Sequence, residues 1–187
     1  MLHTVLAAST ITYKGVFQYL LDNSADASIQ NREERTPFQF LCDRFDDGTP
    51  HEAATMSLLF TESEDLSHAD ASGNTCLHRL ASHWDRVEAV KFLLDRRANV
   101  AIENLKENTP LHEAAIGNIS WNQLPREKRQ REFYAMMKTL LEAGCDKVMN
   151  MKNTAGKTAK EIFEDTWIKR SNSTNIPGRD VPRIFNR

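Results

Sequence analysis

Apolar residues along this chain gather in short patches at helical spacing, and each patch gives way to a polar turn. Phe133, Met136, Met137, Leu140 and Leu141 keep the three-and-four rhythm of one helix face. Leu20-Leu21, Leu58-Leu59 and Leu93-Leu94 close comparable patches, and Val16 to Leu21 reads as one such helix. A last helix is expected from Ala159 to about Ile168, with Ile162, Phe163 and Trp167 available to close a core. No apolar run approaches the length that spans a membrane.

The patches belong to a larger unit that returns along the chain. Thr75-Cys76-Leu77-His78-Arg79-Leu80-Ala81 aligns with Thr109-Pro110-Leu111-His112-Glu113-Ala114-Ala115, 34 residues later. Thr36-Pro37-Phe38-Gln39-Phe40-Leu41-Cys42 is a third copy, and Thr158-Ala159-Lys160-Glu161-Ile162-Phe163 a degenerate fourth. Asn31, Asp70, Asn104 and Asn153 precede the four copies at one fixed distance. Each Leu-Leu patch is followed by a turn and a small or acidic pair: Ala25-Asp26, Glu64-Asp65, Ala98-Asn99 and Cys145-Asp146. Thr at the head of a copy can accept from the free N–H groups of a helix start, and Pro fits the first helical position because its missing donor costs nothing there. Leu then points inward, and the Ala pairs let neighbouring helices approach closely.

In this order of signature, helix, turn and pair, the chain resembles the ankyrin repeat family over roughly residues 1–168. The resemblance implies an all-α solenoid of helix-turn-helix repeats with β-hairpin-like turns. About four to five repeats are expected, near 1–30, 31–69, 70–103, 104–152 and 153–168, with 169–187 as a basic flexible tail or linker. Cys76 stands where the family has Pro, and Glu34 and Glu107 where Gly is usual, which costs turn stability if the backbone there needs a positive φ. His78 and His112 invite a metal or catalytic reading, since imidazole is both ligand and base. The resemblance implies instead that a ring nitrogen ties adjacent repeats together, and Gln39 in the same slot argues against required acid/base chemistry.

Two repeats are longer than the family's period of about 33 residues. Successive signature threonines are 39, 34 and 49 residues apart. The extra residues are expected between the two helices of a repeat, around Asp46 to Pro50 and in Asn118 to Arg131. The longer insertion carries Trp121, then Pro125 as a helix start, then Arg126-Glu127-Lys128-Arg129-Gln130-Arg131-Glu132, so it should lengthen the second helix by roughly two turns. Its aromatic and cations, with Trp121, Arg126 and Arg129 foremost, read either as a secondary contact site or as a solvated helix face covered by Trp121. Thr61 to Asp65 is expected as an exposed acidic loop. Leu2-His3 aligns with the signature only if Thr-Pro lay upstream, so the first repeat reads as incomplete.

Charge and cysteines narrow the function. The formal charge is -2, from 24 basic and 26 acidic residues, so no global field draws nucleic acid or anionic lipid, and a nucleic-acid role is disfavoured. Cys42, Cys76 and Cys145 are widely spaced in apolar or alanine-rich surroundings, which suggests small core residues in a reducing, intracellular compartment, cytoplasm or nucleus. There is no Gly-rich phosphate loop, no cysteine pair at zinc spacing and no nucleophile elbow, so neither enzyme activity nor a cofactor is expected. The expectation is a monomeric, non-catalytic module that binds a protein partner, or else a docking segment acting in cis within a larger polypeptide. The resemblance places its contact surface on the turn tips and the exposed side of the first helices. That surface comprises Arg32, Glu33, Arg35, Asp43 and Arg44, then Ala71, Ser72, Asn74, Ser82 and His83, then Leu105, Lys106, Asn108, Ile116 and Gly117.

Overall fold

A computed structural model describes residues 13–44, 56–60, 65–117 and 126–173. Its elements follow the expected hairpins. Helix α1 (Tyr13–Asp22) precedes α2 (Pro37–Arg44) and a short helical stretch at 56–59. Then come α3 (Cys76–Ala81), a 3-10 turn at Trp84–Arg86 and α4 (Val87–Asp95). Helices α5 (Pro110–Ile116) and α6 (Arg126–Glu142), a second 3-10 turn at Cys145–Val148 and α7 (Ala159–Ser173) complete the order. First helices stack in one layer, α2 on α3, α3 on α5 and α5 on α7, while α4 and α6 pack behind them.

Each first helix starts with the same reciprocal cap. Thr36 donates its backbone N–H to Gln39 Oε1 at 2.9 Å, and its hydroxyl accepts the Gln39 N–H at 3.2 Å. Thr75 with His78 and Thr109 with His112 repeat this box, and so does the degenerate copy, where Thr158 N–H reaches Glu161 Oε2 at 2.8 Å. Such a box satisfies donors that the first turn of a helix leaves free. Behind the caps, Leu77, Leu80, Leu111, Ala114 and Ala115 are buried, and the alanines keep the helices close.

The turns between repeats are also built alike. Asn31, Asp70, Asn104 and Asn153 each accept two backbone N–H bonds on one side-chain oxygen; Asn104 Oδ1, for example, takes Lys106 at 2.9 Å and Asn108 at 3.1 Å. Asp26, Asp65 and Asn99, the second members of the small-acidic pairs, each accept one backbone N–H from two residues on, that of Ser28, Ser67 and Ala101. Residue four of each hairpin is left-handed: φ is 57° at Glu34, 77° at Gly73, 56° at Glu107 and 70° at Gly156. The positive φ suspected at the two glutamates is therefore required. Since a left-handed non-glycine costs roughly 1–2 kcal/mol and glycine's extra chain entropy about 0.5–1 kcal/mol, the double substitution Glu34→Gly and Glu107→Gly should add about 1 kcal/mol of stability. Thermal unfolding followed by circular dichroism checks this, and an unchanged or lower midpoint would count against strain there.

The insertion behaves as expected where it is described. Helix α6 has 17 residues against 9 for α4, an excess of about two turns, and it begins just after Pro125. Helix α7 runs to Ser173, past the end expected near Ile168. Leu2-His3, Asp46 to Pro50, Thr61 to Glu64, Trp121 and residues 174–187 lie outside the described residues.

Candidate functional site

The two histidines are structural. His78 is 1% exposed and His112 is fully buried. Nδ1 of each accepts the N–H of its capping threonine at 3.2 Å, which leaves the proton on Nε2. His78 Nε2 then donates to the Asn108 carbonyl at 3.0 Å in the next repeat, and His112 Nε2 to the carbonyls of Met151 and Lys157 at 3.1 and 3.2 Å. Gln39 does the same with an amide, donating Nε2 to the His68 carbonyl at 2.6 Å. Burial pushes both imidazole pKa values below the usual range, against the raising effect of the accepting carbonyls. With both nitrogens occupied, neither ring is placed to bind a metal or move a proton. Among the described residues no group of three His, Cys, Asp or Glu side chains converges as a metal site.

The hairpin tips are joined edge to edge. Ala71 N–H reaches the Glu33 carbonyl at 3.3 Å, Leu105 N–H the Ser72 carbonyl at 3.1 Å, and Thr154 N–H the Lys106 carbonyl at 3.0 Å. Side-chain amides run parallel to these bonds. Asn153 Nδ2 donates to Asn108 Oδ1 at 2.8 Å, Asn108 Nδ2 to Glu113 Oε1 at 2.8 Å, and Asn104 Nδ2 to both Glu113 Oε1 and Asn74 Oδ1. In the adjacent repeat the same positions hold the Asp70–Arg79 ion pair, so a turn carboxylate meets a helix cation there and a turn amide meets a helix carboxylate here.

Between α3 and α5 this surface opens into a groove of about 470 Å³. Its lining includes Ala71, Ser72, Asn74, Ser82, Leu105, Lys106, Ile116 and Gly117, which the sequence placed on the contact surface, and adds Arg79 and Glu113. Leu105 stands 74% exposed at one end and Ile116 37% exposed at the other.

Other expected contact residues are placed differently. Arg35 is 8% exposed, ion-paired with Glu33 and stacked 5.0 Å from the Phe40 ring centroid, and Asn108 is 2% exposed within the amide ladder. Both hold the scaffold, because a hairpin turn folds alternate side chains back onto the helix it precedes. Arg32 and Glu33 are exposed on their tip, and His83 is half-buried beside Ser82. The side chains of Asp43, Arg44, Arg126 and Arg129 lie outside what is described. On α6, Lys128 faces Glu132 at 3.7 Å, and burial raises the Glu132 carboxyl pKa, with Lys128 opposing and Asp85 adding to the rise.

Residues 4–104 and 46–151 match a family described as ankyrin repeats (3 copies). Inversin of Mus musculus is 36% identical over 111 residues, 58% of this chain and 10% of inversin. Inversin of Homo sapiens is 35% identical over 111 residues, with the same coverage of each chain. The chain thus spans only 10% of the length of these curated relatives.

Proposed function

This chain belongs to the ankyrin repeat family, and we propose on that footing that it is a non-catalytic protein-binding module whose partner seats in the groove between α3 and α5. Ankyrin repeats are in general protein–protein interaction modules. The observation that carries the reading is the pair of exposed aliphatics, Leu105 and Ile116, at the two ends of a rigid, hydrogen-bonded groove. Large exposed aliphatics beside fixed polar groups are what an interface core uses. Replacing both by Asp should weaken partner binding by about 2 kcal/mol or more, roughly thirtyfold, with no loss of helix content. Unchanged affinity measured by calorimetry would remove the groove from the binding surface.

A second reading follows from the relatives, in which the matched segment is 10% of the protein. The repeats would then serve as a docking segment in cis within a larger polypeptide. The intact mass of the native protein tests it, since a product no larger than this chain rejects the idea. Buried, reduced Cys42 and Cys76 support an intracellular setting for either reading.

A further inference from the structure

We infer that the groove takes an uncharged protein segment presenting an asparagine or glutamine amide beside an aliphatic side chain, an inference that rests on the groove being the binding face. The charges of the groove cancel. Arg79 is ion-paired with Asp70, whose side chain is only 3% exposed. Burial opposes ionisation of Asp70, but hydrogen bonds from Arg79, Asn74 and Ser72 outweigh it and keep the carboxylate charged at neutral pH. Lys106 on the tip and Glu113 on α5 add one charge of each sign, while His78 is buried with both ring nitrogens engaged. With cations and carboxylates in balance, the groove selects no net charge of either sign, and an exposed lysine such as Lys106 contributes little through a lone surface pair.

What the lining does offer is one donor and one acceptor left over from the amide ladder. Asn104 Oδ1 accepts the N–H groups of Lys106 and Asn108, which fixes its Nδ2 as the end that meets Asn74 Oδ1 at 2.8 Å and Glu113 Oε1 at 3.0 Å. Asn108 Nδ2 also donates to Glu113 Oε1, at 2.8 Å. The remaining side-chain atoms are Asn74 Nδ2, a donor, and Glu113 Oε2, an acceptor, and among the described residues neither has a hydrogen-bond partner. Both residues line the groove. A primary amide carries the matching acceptor and donor in one group. A carboxylate would set its oxygens against Glu113 Oε2, and an ammonium or guanidinium its N–H groups against Asn74 Nδ2, so either leaves one of the two opposed. Leu105 and Ile116 take the aliphatic side chain, whose burial contributes the apolar part of the contact.

Display of a random peptide library against the intact chain, and against its Glu113→Gln and Ile116→Ser variants, tests the assignment. Equal thermal midpoints will show that the variants fold. A glutamine at 113 keeps an oxygen for the amides of Asn104 and Asn108 and replaces the second oxygen by an NH2 group. Peptides selected on the parent should carry Asn or Gln next to Leu, Ile or Val without an excess of either charge, and their affinity should hold within about twofold between about 0.05 and 0.5 M salt. Glu113→Gln should weaken them about tenfold and turn selection toward Asp and Glu, because donors then face the partner from both sides. Ile116→Ser should abolish the aliphatic preference. Peptides that need Ile116 but are charged or lack an amide would overturn the amide preference and leave the groove as the binding face. Peptides that bind both variants as tightly as the parent, or no binders at all, would overturn the inference and the groove reading together.

Discussion

Replacing Trp84 by alanine is expected to cost about 4 kcal/mol of stability, a large share of the roughly 5–15 kcal/mol that a domain of this kind possesses. Trp84 is fully buried in the 3-10 turn between α3 and α4, and it ties its own repeat to the next. Its Nε1 donates to the Ala114 carbonyl at 2.7 Å, in the last turn of α5 where carbonyls run out of intrahelical donors. Its ring meets Phe133 of α6 edge-on at 4.7 Å, and Phe133 stacks on Phe163 of α7 at 4.4 Å. Gly117 shows how tightly the ring is held. A Cβ there would fall 2.8 Å from Trp84 Cζ2, and φ at Gly117 is +62° with ψ 125°, a combination side chains avoid. Gly117→Ala should therefore cost about 3 kcal/mol from backbone strain and overlap together. Trp84→Phe keeps the packing and loses the hydrogen bond, so it should fall between parent and Trp84→Ala. Urea unfolding followed at 222 nm measures all three; a loss under about 1 kcal/mol for Trp84→Ala would remove its role as the inter-repeat tie.

Acid is expected to loosen the stack before the carboxylates protonate. His78 and His112 are held neutral, burial pushing their pKa values below the ordinary imidazole value of about 6.5 that the unfolded chain shows. The unfolded state therefore binds more protons, and stability, fully present above pH 6.5, falls as pH drops from 6.5 toward the folded values. In that window each histidine contributes a slope of up to about 1.4 kcal/mol per pH unit. The geometry gives the reason: protonating Nδ1 breaks the cap to Thr75 or Thr109. Gln39 supplies the control, because a glutamine in this slot makes both the cap and the link to the next repeat without titrating. The double variant His78→Gln, His112→Gln should retain most of the stability at pH 7.5 and flatten the curve below pH 6.5, ahead of the carboxylate range. A variant with the parent's slope would place the acid sensitivity elsewhere. Asp70 and Glu161, whose pKa values are lowered by their hydrogen bonds against desolvation, lose their contributions only at lower pH.

Much of this architecture is legible in the sequence because each repeat spells out its own local chemistry. Thr-Pro announces a helix start, Asn or Asp five residues earlier announces the turn, and Gln39 beside His78 and His112 reveals a slot that needs an acceptor and a donor in one side chain. Glu161 shows the limit of that rule: it reproduces the cap at Thr158, but as an ionised carboxylate it has no proton for a following carbonyl. What the sequence hides is partnership over distance. Nothing in the local pattern marks Trp84 as the tie to α5 and α6. Arg86, a charge in a polar stretch, is 1% exposed and reaches the Cys42 carbonyl at 3.5 Å, 44 residues away. Arg35 and Asn108 read as surface residues for the same reason, since their burial comes from the turn folding over its own helix. Arg79 and Glu113 escape a reading of tips alone, and only the Asp70 and Asn104 partners give them their opposite roles.

The central claim, that this solenoid meets its partner in the groove between α3 and α5, is tested most directly by site-specific photocrosslinking. A benzoylphenylalanine at Leu105 lies in the groove, whereas one at Lys91, exposed on α4 behind the first-helix layer, reports the opposite side. With a purified partner, crosslinking from position 105 and none from position 91 is the predicted result. Crosslinking from 91 with none from 105 would contradict the account.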